Sequence, residues 1–117
     1  MSVIVSSSKT TVGGKWGQPK QVTLDTNGIA VLSGAGYYQI GTFGGAASDD
    51  LVQITGLNVG DEIILEAADD AHTVVVKDNA NLNLTGIDFS LNTVRDKIML
   101  LCIAVGICDE LMRSSND

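Results

Sequence analysis

Aromatic side chains are scarce in this chain: Trp16, Tyr37, Tyr38, Phe43 and Phe89 are the full complement among 117 residues. Sugar-binding surfaces and base-stacking platforms both rely on aromatic rings, so the composition argues against either role. The core has to be built from Val, Ile, Leu and Ala, which makes it thin or leaves it to be completed by another copy of the chain. Basic residues are few as well, seven against fourteen acids, for a formal charge of −7. Lys9, Lys15 and Lys20 all precede the first acid, Asp25, so the first 24 residues carry +3 and the remainder −10. An acidic body repels phosphate backbones, and no nucleic-acid partner is expected. The basic, Ser/Thr/Gly-rich leader suits an acidic protein surface instead.

Histidine occurs once, proline once and cysteine twice. His72 follows Asp69 and Asp70, but no serine or cysteine motif sets a nucleophile beside it, and a satisfied polar residue is the simpler account. The carboxylate pairs Asp49-Asp50, Asp61-Glu62 and Asp69-Asp70 fit no calcium loop and read as turn residues. Cys102 and Cys108 are too few and wrongly spaced for a zinc ribbon. The first five residues lack the basic segment and apolar length of an export signal, so buried thiols are the default for both cysteines. No metal, cofactor or enzymatic activity is expected. The one long apolar run, residues 98–108, is about half of what a transmembrane helix requires, and no membrane partner is expected either.

What the sequence has in quantity is short apolar runs broken by turn residues. Residues 51–78 hold three such runs, separated by Asn58-Val59-Gly60-Asp61 and Ala68-Asp69-Asp70-Ala71. The β-branched stretch Thr73-Val74-Val75-Val76 favours a pleated surface. Residues 62–67 also allow an amphipathic helix, but Gly60 at its start and aspartates near its end oppose one, and a strand is preferred. Asn27-Gly28 between residues 21–24 and 29–33 predicts a β-hairpin. A strand is predicted at residues 37–43, a flexible link at 44–50, and short strands at 82–86 and 87–91.

Residues 54–65 and 84–100 echo one another as turn-plus-strand units, too few and too unevenly spaced for a solenoid. In the C-terminal run, where a helix over residues 94–113 remains open, a hairpin is preferred. Its tip is Ile103-Ala104-Val105-Gly106-Ile107, with Cys102 opposite Cys108. An apolar tip of this kind marks a contact with another chain or with the core. The prediction is an all-β antiparallel sandwich or barrel-like meander: an N-terminal arm over residues 1–20 and a domain over 21–117.

The order of segments Gly60-Asp61-Glu62-Ile63-Ile64-Leu65, His72-Thr73-Val74-Val75-Val76-Lys77-Asp78, Asn81-Leu82-Asn83-Leu84, Asp96-Lys97-Ile98-Met99-Leu100-Leu101 and Glu110-Leu111-Met112-Arg113-Ser114 resembles a β-rich module of tailed-bacteriophage virion proteins. The resemblance covers residues 50–117. It implies a homotrimer with an adhesive or structural role. Members of the family carry a polar turn and an aromatic residue in the last hairpin, where this chain has Ala104-Val105-Gly106-Ile107-Cys108. That departure points to a buried contact at the tip.

The expectation is a capsid decoration or cement protein. It would bind the major capsid protein on the outer head surface after assembly in the host cytoplasm. Lys9, Lys15, Trp16 and Lys20 would contact the capsid, and Ile103, Ala104, Val105 and Ile107 would form a subunit or partner interface. The alternative is the receptor-binding tip of a tail fibre, with loops near Tyr37 and Tyr38 stacking on sugar.

Overall fold

The polar breaks of this sequence are corners. In the computed structural model, which describes residues 17–116, Asp25 Oδ1 accepts the N–H groups of Asn27 and Ile29. Asp61 Oδ2 accepts that of Asn58, and Asp69 Oδ1 those of Ala71 and His72. Each of these side-chain-locked turns redirects the chain into a different sheet instead of folding it back on itself. Thus β1 (Lys20–Thr23) and β2 (Ile29–Val31) flank Asn27-Gly28 yet do not pair.

β1 pairs in parallel with β3 (Gly36–Gly41), and β3 in parallel with β6 (Glu62–Ala67). β2 pairs in parallel with β5 (Gln53–Thr55), and β4 (Ser48–Leu51) with β7 (Thr73–Val76). Register partners in these ladders lie from 18 residues apart, Lys20 with Tyr38, to 27, Gly36 with Ile63. Each strand therefore meets the strand one coil further on, the signature of a β-solenoid. The all-β class stands as expected; the antiparallel sandwich or barrel-like meander does not. The predicted hairpin at Asn27-Gly28 is a corner, and the predicted link at 44–50 holds a 3-10 turn (Phe43–Gly45) and most of β4. The preferred strand at residues 62–67 is β6.

One end of the coil is closed by reversal. β8 (Leu82–Asn83) and β9 (Phe89–Leu91) follow β7, with β9 antiparallel to it. β10 (Lys97–Ala104) then runs antiparallel to β6, and β11 (Ile107–Ser114) folds back on β10 and pairs in parallel with β8. The result is a six-stranded sheet in the order β1-β3-β6-β10-β11-β8. The hairpin reading of the C-terminal run matches this arrangement. Cys102 and Cys108 are register partners, both buried and both free thiols.

Alternation along the strands puts one side chain in two inside the coil. Tyr38, Leu65 and Ile98 form one interior layer, and Ile63 and Leu100 the next; Ala30 stacks on Ile54 and Leu51 on Val76. All are buried, and each large side chain contributes roughly 1.5–3 kcal/mol of transfer free energy. The sheet starts at Lys20, within the segment expected as an arm. Lys9, Lys15 and Trp16 lie outside the described residues. Among the described residues, no helix is long and apolar enough to cross a membrane.

Candidate interaction surface

The same alternation places the other half of each strand on the outer face of the large sheet, where register sorts it into rows. One row runs Tyr37, Ile64, Met99 and Met112 across β3, β6, β10 and β11. Beside it runs a polar row of Gln21, Gln39, Glu66, Lys97 and Ser114. On the other side lies a mixed row of Glu62, Leu101, Asp109 and Asn83. A sheet face turned to water ordinarily carries polar side chains. Here the middle row is apolar, with Met112 62% exposed, and a recess of about 170 Å³ opens among Ile64, Lys97, Met99, Met112, Arg113 and Ser114. An apolar centre with a polar rim is the composition of a protein contact surface.

The polar row is tied together by hydrogen bonds. Glu66, only 3% exposed, accepts from the Tyr37 hydroxyl at 2.5 Å, from Gln39 Nε2 at 2.6 Å and from Lys97 Nζ at 3.0 Å. Gln21 in turn donates to Gln39. Burial alone would raise the Glu66 carboxyl, but the bonds from Tyr37, Gln39 and Lys97 and the Lys97 charge outweigh it and hold the group below the usual glutamate value of 4.5. Tyr37 is pushed up to about 12, first by burial and then by Glu66.

A carboxyl lowered in the folded state contributes stability that is complete above its unfolded-state value and is lost as pH falls through the folded-state one. Tyr37→Phe removes one of the bonds holding Glu66 ionised. The expected loss is about 1–2 kcal/mol at neutral pH, with the acid-unfolding midpoint moved to higher pH. Circular dichroism along an acid titration measures both; an unmoved midpoint would mean that Tyr37 does not sustain the carboxylate.

The hairpin tip is the second apolar surface. Val105 is 90% exposed and Ile103 is exposed, while Ala104 and Ile107 are half-buried. Gln53 Nε2 reaches Gly106 O at 3.4 Å, so the tip leans on β5, yet its apolar end faces solvent. Among the described residues, nothing buries Val105.

The remaining sequence candidates have structural occupations. Lys20 Nζ lies 5.5 Å from the centre of the Tyr38 ring and 3.5 Å from Ser33 Oγ. His72 Nδ1 is 2.9 Å from Asp69 Oδ1 on an exposed turn, and hydrogen bonds from His72 and Ala71 hold the Asp69 carboxyl below its ordinary range. Asp49 Oδ2 accepts the N–H of Phe43. Among the described residues, no group of three or more His, Cys, Asp or Glu side chains is arranged to hold a metal ion. Tyr37 and Tyr38 sit in β3 and not in a loop. Tyr38 is buried with its hydroxyl on Gly34 O at 2.7 Å, which removes it as a sugar platform.

The apolar row itself escaped sequence reasoning, because its members come from four separated strands. The available signal was that residues 98–102 stay apolar on both faces, one more than a coil interior needs. No protein-family model matches the chain, and neither the curated proteins nor the solved structures contain a significant match.

Proposed function

We propose that this chain is a structural protein of a tailed-bacteriophage virion, a homotrimer that binds the outer capsid surface and cements neighbouring capsomers. The observation that carries the reading is the pairing of two unpartnered apolar surfaces on one small β-solenoid, the rimmed row on the large sheet and the exposed hairpin tip. A molecule with two such surfaces can hold its own copies with one and a second protein with the other. The hairpin tip then faces the shell, and every contact made there must be broken before the shell opens. The resemblance of residues 50–117 to phage virion modules supports the same role.

Mixing the purified protein with expanded capsids that lack it, and separately with host cells, tests the reading. Saturable co-sedimentation with capsids is expected. Attachment to cells alone would give the chain the role of a receptor-binding tip, and attachment to neither would remove it from the virion surface.

A further inference from the structure

The chain's two cysteines face each other at the root of the C-terminal hairpin, Cys102 near the end of β10 and Cys108 at the start of β11, with residues 103–107 between them. Their backbone groups point apart. Cys102 N donates to Asp61 O at 2.9 Å and Cys102 O accepts from Gly60 N at 2.8 Å, both toward the corner before β6, while Cys108 N donates to Asn81 O at 2.9 Å, toward β8. The two residues are therefore a non-hydrogen-bonded pair of the antiparallel ladder, the kind in which opposite Cα atoms come closest, to about 4.5 Å. A disulfide spans Cα separations of roughly 4.4–6.8 Å. Both side chains are buried on the inner face, Cys102 at the next inward position after Ile98 and Leu100.

We propose that Cys102 and Cys108 form a dithiol site that a small-molecule disulfide of the glutathione class oxidises to a cross-strand disulfide. One protein thiolate attacks a sulfur of the oxidised reagent, the S–S bond of the reagent breaks, and one reduced molecule leaves and takes up a proton. The second protein thiol gives up its proton and attacks the protein sulfur of the mixed disulfide, releasing the second reduced molecule. The protein pair thus loses two electrons and two protons, and the reagent gains them. Closure costs one weak hydrogen bond, since Cys102 Sγ donates to Ala104 O at 3.2 Å and must turn toward Cys108. Burial, and then the Cys102 sulfur, push the Cys108 thiol up to about 12, so exchange is confined to moments when the hairpin parts. The solvent-facing tip on one side and the two-residue β8 on the other make this the end where parting is easiest. Once formed, the bond joins β10 to β11 between the Gly60-Asp61 corner and β8 and fixes the tip on its base. The site is independent of the virion role proposed above.

The test is the thiol–disulfide equilibrium of the full chain in mixtures of reduced and oxidised glutathione, approached from the reduced and from the disulfide-bonded chain, once folded and once in concentrated urea. Acid quenching, alkylation of free thiols and intact mass read the populations, and circular dichroism verifies the fold. The folded chain is expected to become a monomeric species lighter by two hydrogen atoms that takes up no alkyl group. Its half-reduction is expected to need a ratio of squared reduced to oxidised glutathione at least about 10-fold higher than in urea, because the fold already holds the ends of the short ring, residues 102–108, together. Thiols that stay free in the folded chain under excess oxidised glutathione, adducts or disulfides between copies in place of ring closure, or a half-reduction ratio no higher when folded than in urea would each overturn the site.

Discussion

Gly56→Ala is expected to leave the chain unable to reach its native state, with a loss of more than about 4 kcal/mol. Gly56 turns the corner after β5 at φ +88°, a conformation that L side chains rarely adopt. A Cβ there would overlap the carbonyl oxygen of Leu32 and come within 2.9 Å of its carbon and 3.2 Å of its nitrogen, all of them backbone atoms of the preceding coil. Those atoms are fixed because Leu32 N donates to Thr55 O at 2.9 Å and Val31 is the register partner of Thr55. Relief would require opening the coil.

Gly86→Ala is the control. Its φ of +94° is equally unusual, but nothing among the described residues lies within 4 Å of the added carbon, which leaves the backbone strain of roughly 1–2 kcal/mol. Denaturant unfolding of the two variants isolates the coil-to-coil approach. If both lose the same small amount, successive coils are not packed as closely as a solenoid demands.

Asp96→Ala should lose about 3–5 kcal/mol without removing any apolar contact. Asp96 is fully buried where the chain enters β10. One carboxylate oxygen accepts the N–H groups of Asn92 and Thr93 at 3.1 and 3.2 Å, and the other accepts that of Asn116 at 2.8 Å. The side chain thereby fixes the corner before β10 and holds the chain beyond β11 beside it. Alanine leaves these backbone donors without their acceptor. Asp96→Asn keeps the shape and one acceptor oxygen, and it should fall between wild type and alanine. Urea unfolding and amide exchange at Asn92, Thr93 and Asn116 measure the effect. A variant at wild-type stability would show that the terminal corner is held by something else.

The individual strands were readable because each depends on local alternation. The stretch Thr73–Val76 is β-branched and half-buried in the expected two-residue rhythm, and the run after Lys97 is long enough to fold back on itself. Pairing was not readable, because it depends on residues 18 to 27 positions apart that share no sequence motif. Asn27-Gly28 illustrates the difficulty. The dipeptide is a strong hairpin signal, and Gly28 does adopt φ +76°, but Asp25 captures the N–H of Ile29 and turns the chain into another sheet.

The echo between residues 54–65 and 84–100 was real as local structure and misleading as topology. Gly56 and Gly86 both take positive φ, and the strands that close the two units, β6 and β10, are neighbours, although β9 lies between Gly86 and β10. They run antiparallel, as the closing turn of a coil and not as its repeat. Of the surface residues, Ile103, Ala104, Val105 and Ile107 could be picked out because an apolar hairpin tip is unusual in itself. Tyr37, Ile64, Met99 and Met112 could not, since only the register of four strands brings them into one line.

The proposed role makes this small coil a fastener on a viral shell. The most direct measurement is the temperature at which phage particles release their genome, compared between particles carrying the protein and particles stripped of it. Stripped particles are expected to open at a lower temperature, and adding back the purified protein is expected to restore the original value. Equal release temperatures, with the surface sites demonstrably filled in one sample and empty in the other, would contradict it.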